Sequence, residues 1–189
     1  MWLSEDELNR LGFGAIGSHV LIDETVLLQG VSRMYLGSRI RIDSGSDLTA
    51  SSGSLRIGNN VHLGHAVHIY AGADVDIKDF AGLAAGVRIF SMSDDYSGGA
   101  LTNPTVPARF RDVSSSPVML GRHVIVGSGS VILPGARIGD GAAIGALTLV
   151  HRSVPARAVV SGNPMRRVGT RDWERICELE TEYLQTRDE

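Results

Sequence analysis

The sequence predicts an all-β fold, a solenoid of short strands wound into stacked coils. The main observation is a period of six residues, which from Leu120 onward returns an aliphatic residue at every sixth position, often followed by Gly. The second observation is composition: 43% of the residues are hydrophobic and only 5% are aromatic, which suits a narrow aliphatic interior. Each repeat forms a short strand and a turn, and stacked coils bury the aliphatic column that one coil leaves exposed.

The aliphatic first positions of the repeat predict the core of this solenoid. They should point inward as one continuous column, because each occupies the same position of a hexad. Between blocks of hexads the register slips by a few residues, which predicts small bulges at the corners of the coils. The first positions are Ile16, Ile22, Leu28, Leu36, Ile42, Leu48, Ile57, Leu63, Ile69, Ile77, Leu83, Ile89, Leu120, Val126, Ile132, Ile138, Ile144 and Val150.

The stretch at about residues 94–117 interrupts the repeat. It contains Ser-Gly-Gly, Asn-Pro and Val-Pro and has no hexad register, so it predicts a loop that protrudes from the solenoid. Long loops without regular structure are uncommon in compact folds and are usually functional or disordered. We therefore expect part of a functional site here.

The solenoid is expected over residues 16–169. The sequence predicts a helix at each end of the chain, and these helices should cap the solenoid. In residues 1–15, Ser4 and Glu7 have the spacing of a capping box. This spacing predicts an N-terminal cap helix from Glu5 to Leu11.

The C-terminal segment, residues 170–189, has apolar residues at helical spacing, and Thr170 is expected to cap that helix. Its apolar stripe, which includes Trp173 and Tyr183, has to pack either on the last coil of its own chain or on a neighbouring subunit. The ends of a solenoid expose unpaired strand edges, and such caps cover them.

Composition argues against several classes of function. The formal net charge of −3 gives no electrostatic case for binding nucleic acid. Cys177 is the only cysteine, which excludes a disulfide framework and a cysteine-based metal site. The first residues are acidic, unlike the basic start of a signal peptide, and no apolar run is long enough to span a bilayer. We therefore expect a cytoplasmic protein without a membrane span.

The hexads, the long loop and the closing segment from Ser161 to Arg167 resemble the hexapeptide-repeat acyltransferases. The resemblance covers about Ile16 to Val168, and one departure is Met165, because the family usually has Ala after Gly-Asn-Pro. It implies a left-handed parallel β-helix that assembles as a homotrimer. It also implies acyl-CoA, such as acetyl-CoA, as a co-substrate held between adjacent solenoids, with no tightly bound cofactor.

The same resemblance implies a set of residues for coenzyme A. Small side chains at the corners of consecutive coils would let backbone amides approach the pantetheine arm, and a pair of arginines would meet the phosphates. The alternative is that the glycines only form tight corners and the arginines are a solvated patch. The residues are Gly127, Ser128, Gly145, Ala146, Asn163, Pro164, Arg166 and Arg167.

The start of the long loop decides which acceptor we expect. Galactoside and maltose O-acetyltransferases of this family use a histidine at the base of the loop to deprotonate a sugar hydroxyl. The matching stretch here, from Val87 to Tyr96, has no histidine and offers Asp94 and Asp95. An amine with a pKa of about 8 attacks a thioester once it is oriented, so carboxylates suit an amine acceptor.

We therefore expect Asp94 and Asp95 to act in catalysis, and Ser91, Tyr96 and Asn103 to contact the sugar or its nucleotide. The alternative is that both aspartates cap the loop through backbone amides, as Asp does in turns.

The loop from Ser93 to Pro107 also resembles sugar acyltransferases of bacterial surface-polysaccharide pathways, of which lipopolysaccharide synthesis is one. Some of these enzymes N-acylate nucleotide-linked dideoxy amino sugars. The leading prediction is therefore an acyl-CoA-dependent N-acyltransferase acting on a nucleotide-linked amino sugar. The runner-up is a saccharide O-acetyltransferase that uses a histidine outside the usual place, and His65, at a corner, is the candidate base.

Three histidines, His62, His65 and His68, are spaced by three residues. The spacing invites comparison with the gamma-class carbonic anhydrases, solenoid enzymes that bind zinc through histidines. However, His62 and His68 occupy the same hexad position on successive sides of a coil, so their side chains should diverge. We therefore expect no metal site. A zinc enzyme of that type and a non-catalytic scaffold are the distant alternatives, since fold alone does not determine function.

Overall fold

The structure, a computed structural model, describes residues 1–186 and consists mainly of short strands. Helix α1 spans Glu5–Arg10, helix α2 spans Trp173–Gln185, and short 3-10 helices lie at Val31–Arg33 and Ala108–Phe110. No helix within the described residues is long and apolar enough to cross a membrane. The strands are β1 (Ala15–Ile16), β2 (Val20–Ile22), β3 (Leu27–Gln29), β4 (Met34–Leu36), β5 (Ile40–Ile42), β6 (Asp47–Thr49), β7 (Leu55–Ile57), β8 (His62–Leu63), β9 (His68–Tyr70), β10 (Val75–Ile77), β11 (Gly82–Leu83), β12 (Arg88–Phe90), β13 (Met92–Asp94), β14 (Val113–Ser115), β15 (Val118–Leu120), β16 (Ile125–Val126), β17 (Val131–Ile132), β18 (Arg137–Ile138), β19 (Ala143–Ile144), β20 (Leu149–Val150), β21 (Ala158–Ser161) and β22 (Arg166–Thr170).

Three sheets form the sides of a triangular solenoid. The first has the strand order β1-β4-β7-β10-β15-β18, the second β2-β5-β8-β11-β16-β19-β21-β22, and the third β3-β6-β9-β12-β17-β20. Each of six successive coils contributes one strand to each sheet, and these strands pair in parallel. The last strand, β22, is antiparallel to β21 and closes the second sheet.

The interior is the aliphatic column that the six-residue period predicts. From the second coil onward every predicted position is buried, and Ile138 and Ile144 near the C-terminal end are only 2% and 3% exposed. Ile16 and Leu28 are partly exposed, because the first coil has a neighbouring coil on one side only. The predicted solenoid core is therefore confirmed, with looser packing at its open end.

The predicted bulges share one corner of the triangle. The first corner joins the first sheet to the second, the second corner joins the second to the third, and the third corner joins the third sheet to the first sheet of the next coil. Core positions are eight residues apart from Leu28 to Leu36 and nine apart from Leu48 to Ile57, both across the third corner. The extra residues include the 3-10 helix Val31–Arg33.

The protruding segment leaves the solenoid at this third corner, after the fourth coil. We call residues 92–115 the arm. The sequence predicted an irregular loop, but β13 and β14 form an antiparallel ladder at its base, in which Met92 pairs with Ser115 and Asp94 with Val113. The ladder was missed because neither segment alternates apolar and polar residues in the way a half-buried strand does. The β13–β14 ladder therefore holds the two ends of the arm side by side.

The N-terminal helix has the predicted capping box. Ser4 Oγ accepts a hydrogen bond from Glu7 N at 3.3 Å, and Ser4 N donates to Glu7 Oε2 at 2.8 Å. The helix ends at Arg10, and Leu11 is its C-cap.

The C-terminal helix begins later than the sequence predicts, and the prediction of Thr170 as its cap was wrong. Thr170 is the last residue of β22, where it pairs with Ala158, so the backbone is still extended there. Asp172 is the cap, and its side chain accepts a hydrogen bond from Arg175 N at 3.0 Å.

Helix α2 lies along the first corner of its own chain. At this corner Asn60, Phe80 and His123 have φ angles of 55°, 60° and 55°, one in each of three successive coils. His123 Nε2 lies 2.9 Å from a carboxylate oxygen of Glu180, and the Tyr183 hydroxyl donates to Asn60 Oδ1 at 3.1 Å. The helix therefore packs on several coils of its own solenoid, and not on the last coil alone.

Candidate active site

A cavity of about 480 Å³ opens between the arm and the edge of the third sheet. One wall comes from the third sheet and its corner, and the other from both strands at the base of the arm. The β13–β14 ladder positions the second wall, because it holds the two strands in a fixed register. The lining residues are Tyr70, Phe90, Met92, Ser93, Asp94, Tyr96, Pro104, Arg111, Val113, Leu133 and Pro134.

Asp94 is the acidic side chain of this cavity. It is the last residue of β13 and is half-buried. Within residues 1–186 its carboxylate has no hydrogen-bond or ion-pair partner. The contacts of Asp94 are made by its backbone, which pairs with Val113 in the ladder and accepts a hydrogen bond from Ser93 Oγ at its carbonyl oxygen. No histidine lines the cavity in the described part of the chain. The carboxylate is therefore available to a ligand.

Asp95, the neighbouring aspartate, has a different environment. Its carboxylate oxygens accept hydrogen bonds from Ser97 N at 2.7 Å and Ala100 N at 2.9 Å. Hydrogen bonds from the Ser97 side chain and backbone, with further ones from the backbone of Ala100 and Gly99, lower the pKa of Asp95 to about 2. Such a carboxylate is a weak base, and it does not line the cavity. Asp95 therefore stabilises the turn after β13, as the structural alternative expected.

The three residues predicted to contact the acceptor lie in different places. Ser91 is fully buried, and its hydroxyl donates to Ala73 O at 2.8 Å and accepts from Ala73 N at 3.0 Å. These bonds hold the backbone of a corner, so a direct contact between Ser91 and substrate is ruled out in this geometry. Asn103 Oδ1 accepts from Thr105 N at 3.0 Å and caps a turn of the arm. Only Tyr96 of the three lines the cavity, with 94% of its surface exposed.

Arg111 lines the same cavity, and the sequence analysis missed it. It lies between the 3-10 helix Ala108–Phe110 and β14, and it is partly buried. Its Nε is buried without a hydrogen-bond partner among the residues that the structure describes. The available signal was the charge pattern of the loop, because Arg109 and Arg111 are its only cationic residues.

The glycines predicted to face coenzyme A lie at the second corner, in the fifth and sixth coils. A β-carbon on Gly127 would lie 2.4 Å from Ala146 N, and one on Gly145 would lie 2.5 Å from Ser161 Oγ. A larger residue at Gly127 would meet the backbone of the next coil, so this glycine serves the stacking of the coils whatever binds nearby, whereas at Gly145 the Ser161 side chain would have to shift. Ser128 and Ala146 are exposed at the same corner.

The closing segment turns back between β21 and β22. Asn163 and Pro164 are exposed in this turn. Arg166 and Arg167 follow on β22 and line a groove of about 300 Å³, together with Arg152. The arginine pair therefore belongs to a cationic groove at the C-terminal end of the solenoid.

Within one chain the second-corner residues predicted for coenzyme A are not brought together with Asp94. Gly127 lies at the second corner, where the strands of the third sheet begin. Asp94 lies at the third corner, beyond the point where these strands end. His65 is exposed at the second corner of the third coil, where its Nδ1 lies 3.1 Å from Ser44 Oγ. His65 therefore lies at a different corner of the solenoid from the Asp94 cavity of its own chain.

The three regularly spaced histidines diverge. His62 lies on β8 of the second sheet, where its Nε2 is 2.8 Å from Asp43 Oδ2, and His68 lies on β9 of the third sheet. Within residues 1–186 no group of three or more His, Cys, Asp or Glu side chains is placed to hold a metal ion.

The six-residue repeats, the stacked coils and the arm with its cavity are the features of a hexapeptide-repeat transferase, and comparison with known proteins supports this class. A family model described as bacterial transferase hexapeptide (six repeats) matches residues 117–152. The dTDP-4-amino-4,6-dideoxy-D-glucose acyltransferase of Escherichia coli is 32% identical over 182 residues, which cover 96% of this chain and 94% of that protein. The chain therefore belongs to the hexapeptide-repeat acyltransferases, and its fold is the left-handed parallel β-helix of that family.

Among solved structures the chain is similar to AntD, an N-acyltransferase from Bacillus cereus. The complex of AntD with dTDP and 3-hydroxybutyryl-CoA has a TM-score of 0.94 and 32% identity, covering 100% of this chain and 98% of AntD. A variant of AntD in complex with dTDP-4-amino-4,6-dideoxyglucose and coenzyme A has a TM-score of 0.91 at 32% identity, with 98% of each chain covered.

Proposed function

We propose that this enzyme transfers an acyl group from acyl-CoA to the amine of a nucleotide-linked amino sugar. The observation that carries the proposal is the unpaired carboxylate of Asp94, in a cavity that no histidine from residues 1–186 lines. The relatives support it, because one is named for acylating dTDP-4-amino-4,6-dideoxy-D-glucose and AntD binds dTDP with an acyl-CoA.

An amine and a hydroxyl make different demands on such a site. A sugar hydroxyl is a very weak acid, so it needs a positioned base before it attacks a thioester. An amine with a pKa of about 8 is partly neutral at cellular pH and needs mainly orientation and a group that accepts its proton. Asp94 meets both needs, because its carboxylate attracts the ammonium form, aligns the nitrogen and accepts the proton.

In the proposed reaction the amine nitrogen attacks the carbonyl carbon of the thioester. A carbon–nitrogen bond forms and the carbon–sulfur bond breaks. The nitrogen loses one proton by way of Asp94, and the departing thiolate gains one, so the products are an amide and free coenzyme A. Backbone amides can stabilise the oxyanion that forms on the carbonyl oxygen. We propose acetyl as the acyl group.

We propose that a homotrimer completes the site. The second corner and the arm lie at opposite ends of the strands of the third sheet. The second corner of one copy therefore has to face the arm of another copy for the two substrates to meet. The donor residues proposed for this corner and the C-terminal groove are Gly127, Ser128, Gly145, Ala146, Asn163, Pro164, Arg166 and Arg167.

The chemistry of the substrates also suggests where the enzyme works. Acyl-CoA and nucleotide sugars are cytoplasmic metabolites, so we propose a cytoplasmic enzyme. An acylated amino sugar on a nucleotide carrier is a building block for surface polysaccharide, and we propose lipopolysaccharide or a similar polymer as its destination.

The test is a panel of acetyl-CoA and longer acyl-CoAs against amino and hydroxy nucleotide sugars, with release of free thiol as the readout. Amino sugars should react, and Asp94→Asn should lower kcat by about 10²- to 10⁴-fold, the range for a general base. Asp112→Asn is the matched control, because Asp112 is an exposed acid of the same arm and its loss should leave kcat unchanged. Equal turnover of hydroxy sugars, or inactivation by His65→Ala with full activity of Asp94→Asn, would establish the O-acetyltransferase instead.

A further inference from the structure

Arg111 brings a positive charge to the cavity that contains Asp94. Its Nε is buried without a hydrogen-bond partner, and its guanidinium forms no ion pair with any carboxylate of the described residues. A buried donor without a partner is costly in free energy, and nearly all buried polar groups find one. An anionic ligand would supply the partner that the protein lacks here.

A second depression, of about 430 Å³, lies beside Arg111 in the arm. Arg109 and Arg111 supply its charge, and Gly98 and Gly99 leave its floor without side chains. At Gly98, whose φ is 84°, an added β-carbon would meet no atom within 4 Å. Asp95 lies behind Gly99, but backbone amides occupy its carboxylate. Arg111 therefore forms the boundary between a cavity with a carboxylate and a depression with two arginines.

We propose that Arg111, assisted by Arg109, binds the diphosphate of the acceptor nucleotide, an inference that rests on the function proposed above. A guanidinium group donates paired hydrogen bonds that match two phosphate oxygens. The arm then contacts the acceptor at two points of opposite charge, the ammonium at Asp94 and the diphosphate at Arg111. A sugar without its nucleotide would satisfy only the first of these contacts.

Coenzyme A also carries a diphosphate, and molecular dimensions separate the two sources. In a nucleotide sugar only the sugar ring lies between the amine and the diphosphate, so both groups fit one cavity and its margin. In acyl-CoA the whole pantetheine arm separates the thioester from the phosphates. A guanidinium that shares the cavity of the proton-accepting carboxylate therefore suits the short spacing of the acceptor. The groove of Arg166 and Arg167 is a separate depression at the C-terminal end of the solenoid.

Calorimetric titration with dTDP, thymidine and coenzyme A tests this assignment. Arg111→Met should weaken dTDP binding by about 10- to 100-fold, the loss of a charge-assisted hydrogen bond, and should leave thymidine and coenzyme A unchanged. Arg111→Lys should recover part of the affinity, because it restores the charge without the paired donors. Arg137→Met is the matched control, since Arg137 is exposed on β18 of the first sheet, outside the arm, and it should bind all three as the wild type does.

Unchanged coenzyme A binding shows that the Arg111→Met variant is folded; if it does not fold, Arg111→Lys provides the same comparison. Wild-type affinity of Arg111→Met for dTDP overturns the inference, and so does a loss confined to coenzyme A. The proposed function can fail separately. If amino nucleotide sugars release no thiol while dTDP still binds through Arg111, the diphosphate site is supported and the proposed reaction is refuted.

Discussion

Glu180 is expected to be the main contact that holds α2 to the solenoid. Its side chain is 9% exposed, and the carboxylate receives hydrogen bonds from His123 Nε2, at 2.9 Å, and from the guanidinium of Arg122. The His123 side chain is 13% exposed and its ring stacks on Phe80 with centroids 4.7 Å apart, so this contact is shielded from water. The Arg122 side chain is 44% exposed, and solvent screening makes its share small.

Glu180→Gln keeps the shape of the side chain and removes its charge. The amide has one acceptor oxygen, so it cannot accept from His123 and Arg122 as the carboxylate does. A hydrogen bond to a charged group contributes about 1.5–3 kcal/mol. We apply this value to the shielded His123 contact only, and leave out the exposed Arg122 contact. Detachment of α2 should become easier by that amount, which is a rise of about 10- to 150-fold in the detached population.

Hydrogen exchange of the amides in Trp173–Gln185 measures this population. Glu178→Gln is the matched control, because Glu178 pairs with Arg175 at 3.0 Å with both side chains more than half exposed, 65% and 58%. Such surface pairs contribute about 0–1 kcal/mol, so exchange in the control should stay close to that of the wild type. If Glu180→Gln exchanges no faster than Glu178→Gln, the docking contact lies elsewhere and the reasoning is refuted.

Two further predictions concern the donor groove and the arm. Replacing Arg166 and Arg167 with Ala should raise the KM for acyl-CoA far more than it lowers kcat, because contacts to remote phosphates are made about equally in the ground and transition states; in steady-state kinetics, a fall in kcat alone would contradict this. The pKa of Asp95, about 2 against an ordinary 3.8, means that its stabilisation of the turn is complete above the ordinary value and disappears as the pH falls through about 2. Pepsin cleavage of the arm, normalised to a peptide substrate, should therefore rise as the pH falls from about 4 to about 2, and Asp95→Asn should remove that rise; equal slopes in both proteins would count against the role of Asp95.

The core of the fold could be predicted because one position in six must be aliphatic for coils to stack. Ile138 and Ile144 follow that rule directly. Backbone conformation at the corners was less accessible, since nothing in the residue type of Phe80 indicates a φ of 60°. The stacking of coils imposes it, and Phe80 N then donates to Asn59 O at 2.9 Å. Local propensity is overridden there by the repeat.

The candidate site was accessible only in part. The missing histidine at the start of the arm indicated Asp94, but sequence could not separate it from Asp95, because adjacent residues with the same side chain lie on different structures, the end of a strand and a turn. Ser91 precedes both and points inward, which only the corner geometry decides. Arg111 is far from Asp94 in sequence, and the β13–β14 ladder brings it to the cavity.

Helix α2 affects how the solenoid comes apart. In a stack of repeats each coil is stabilised mainly by its neighbours, so coils can fray one at a time from an end. Here the helix that leaves the last coil contacts His123 in the fifth coil and reaches Asn60 in the third, joining Tyr183 to a residue 123 positions away. The last coils cannot open without also breaking contacts in the middle, so coils three to six should melt as one cooperative unit, while the first two can fray alone. The arm is inserted between the fourth and fifth coils, inside this unit, so the cavity is built on the part of the molecule that opens least often.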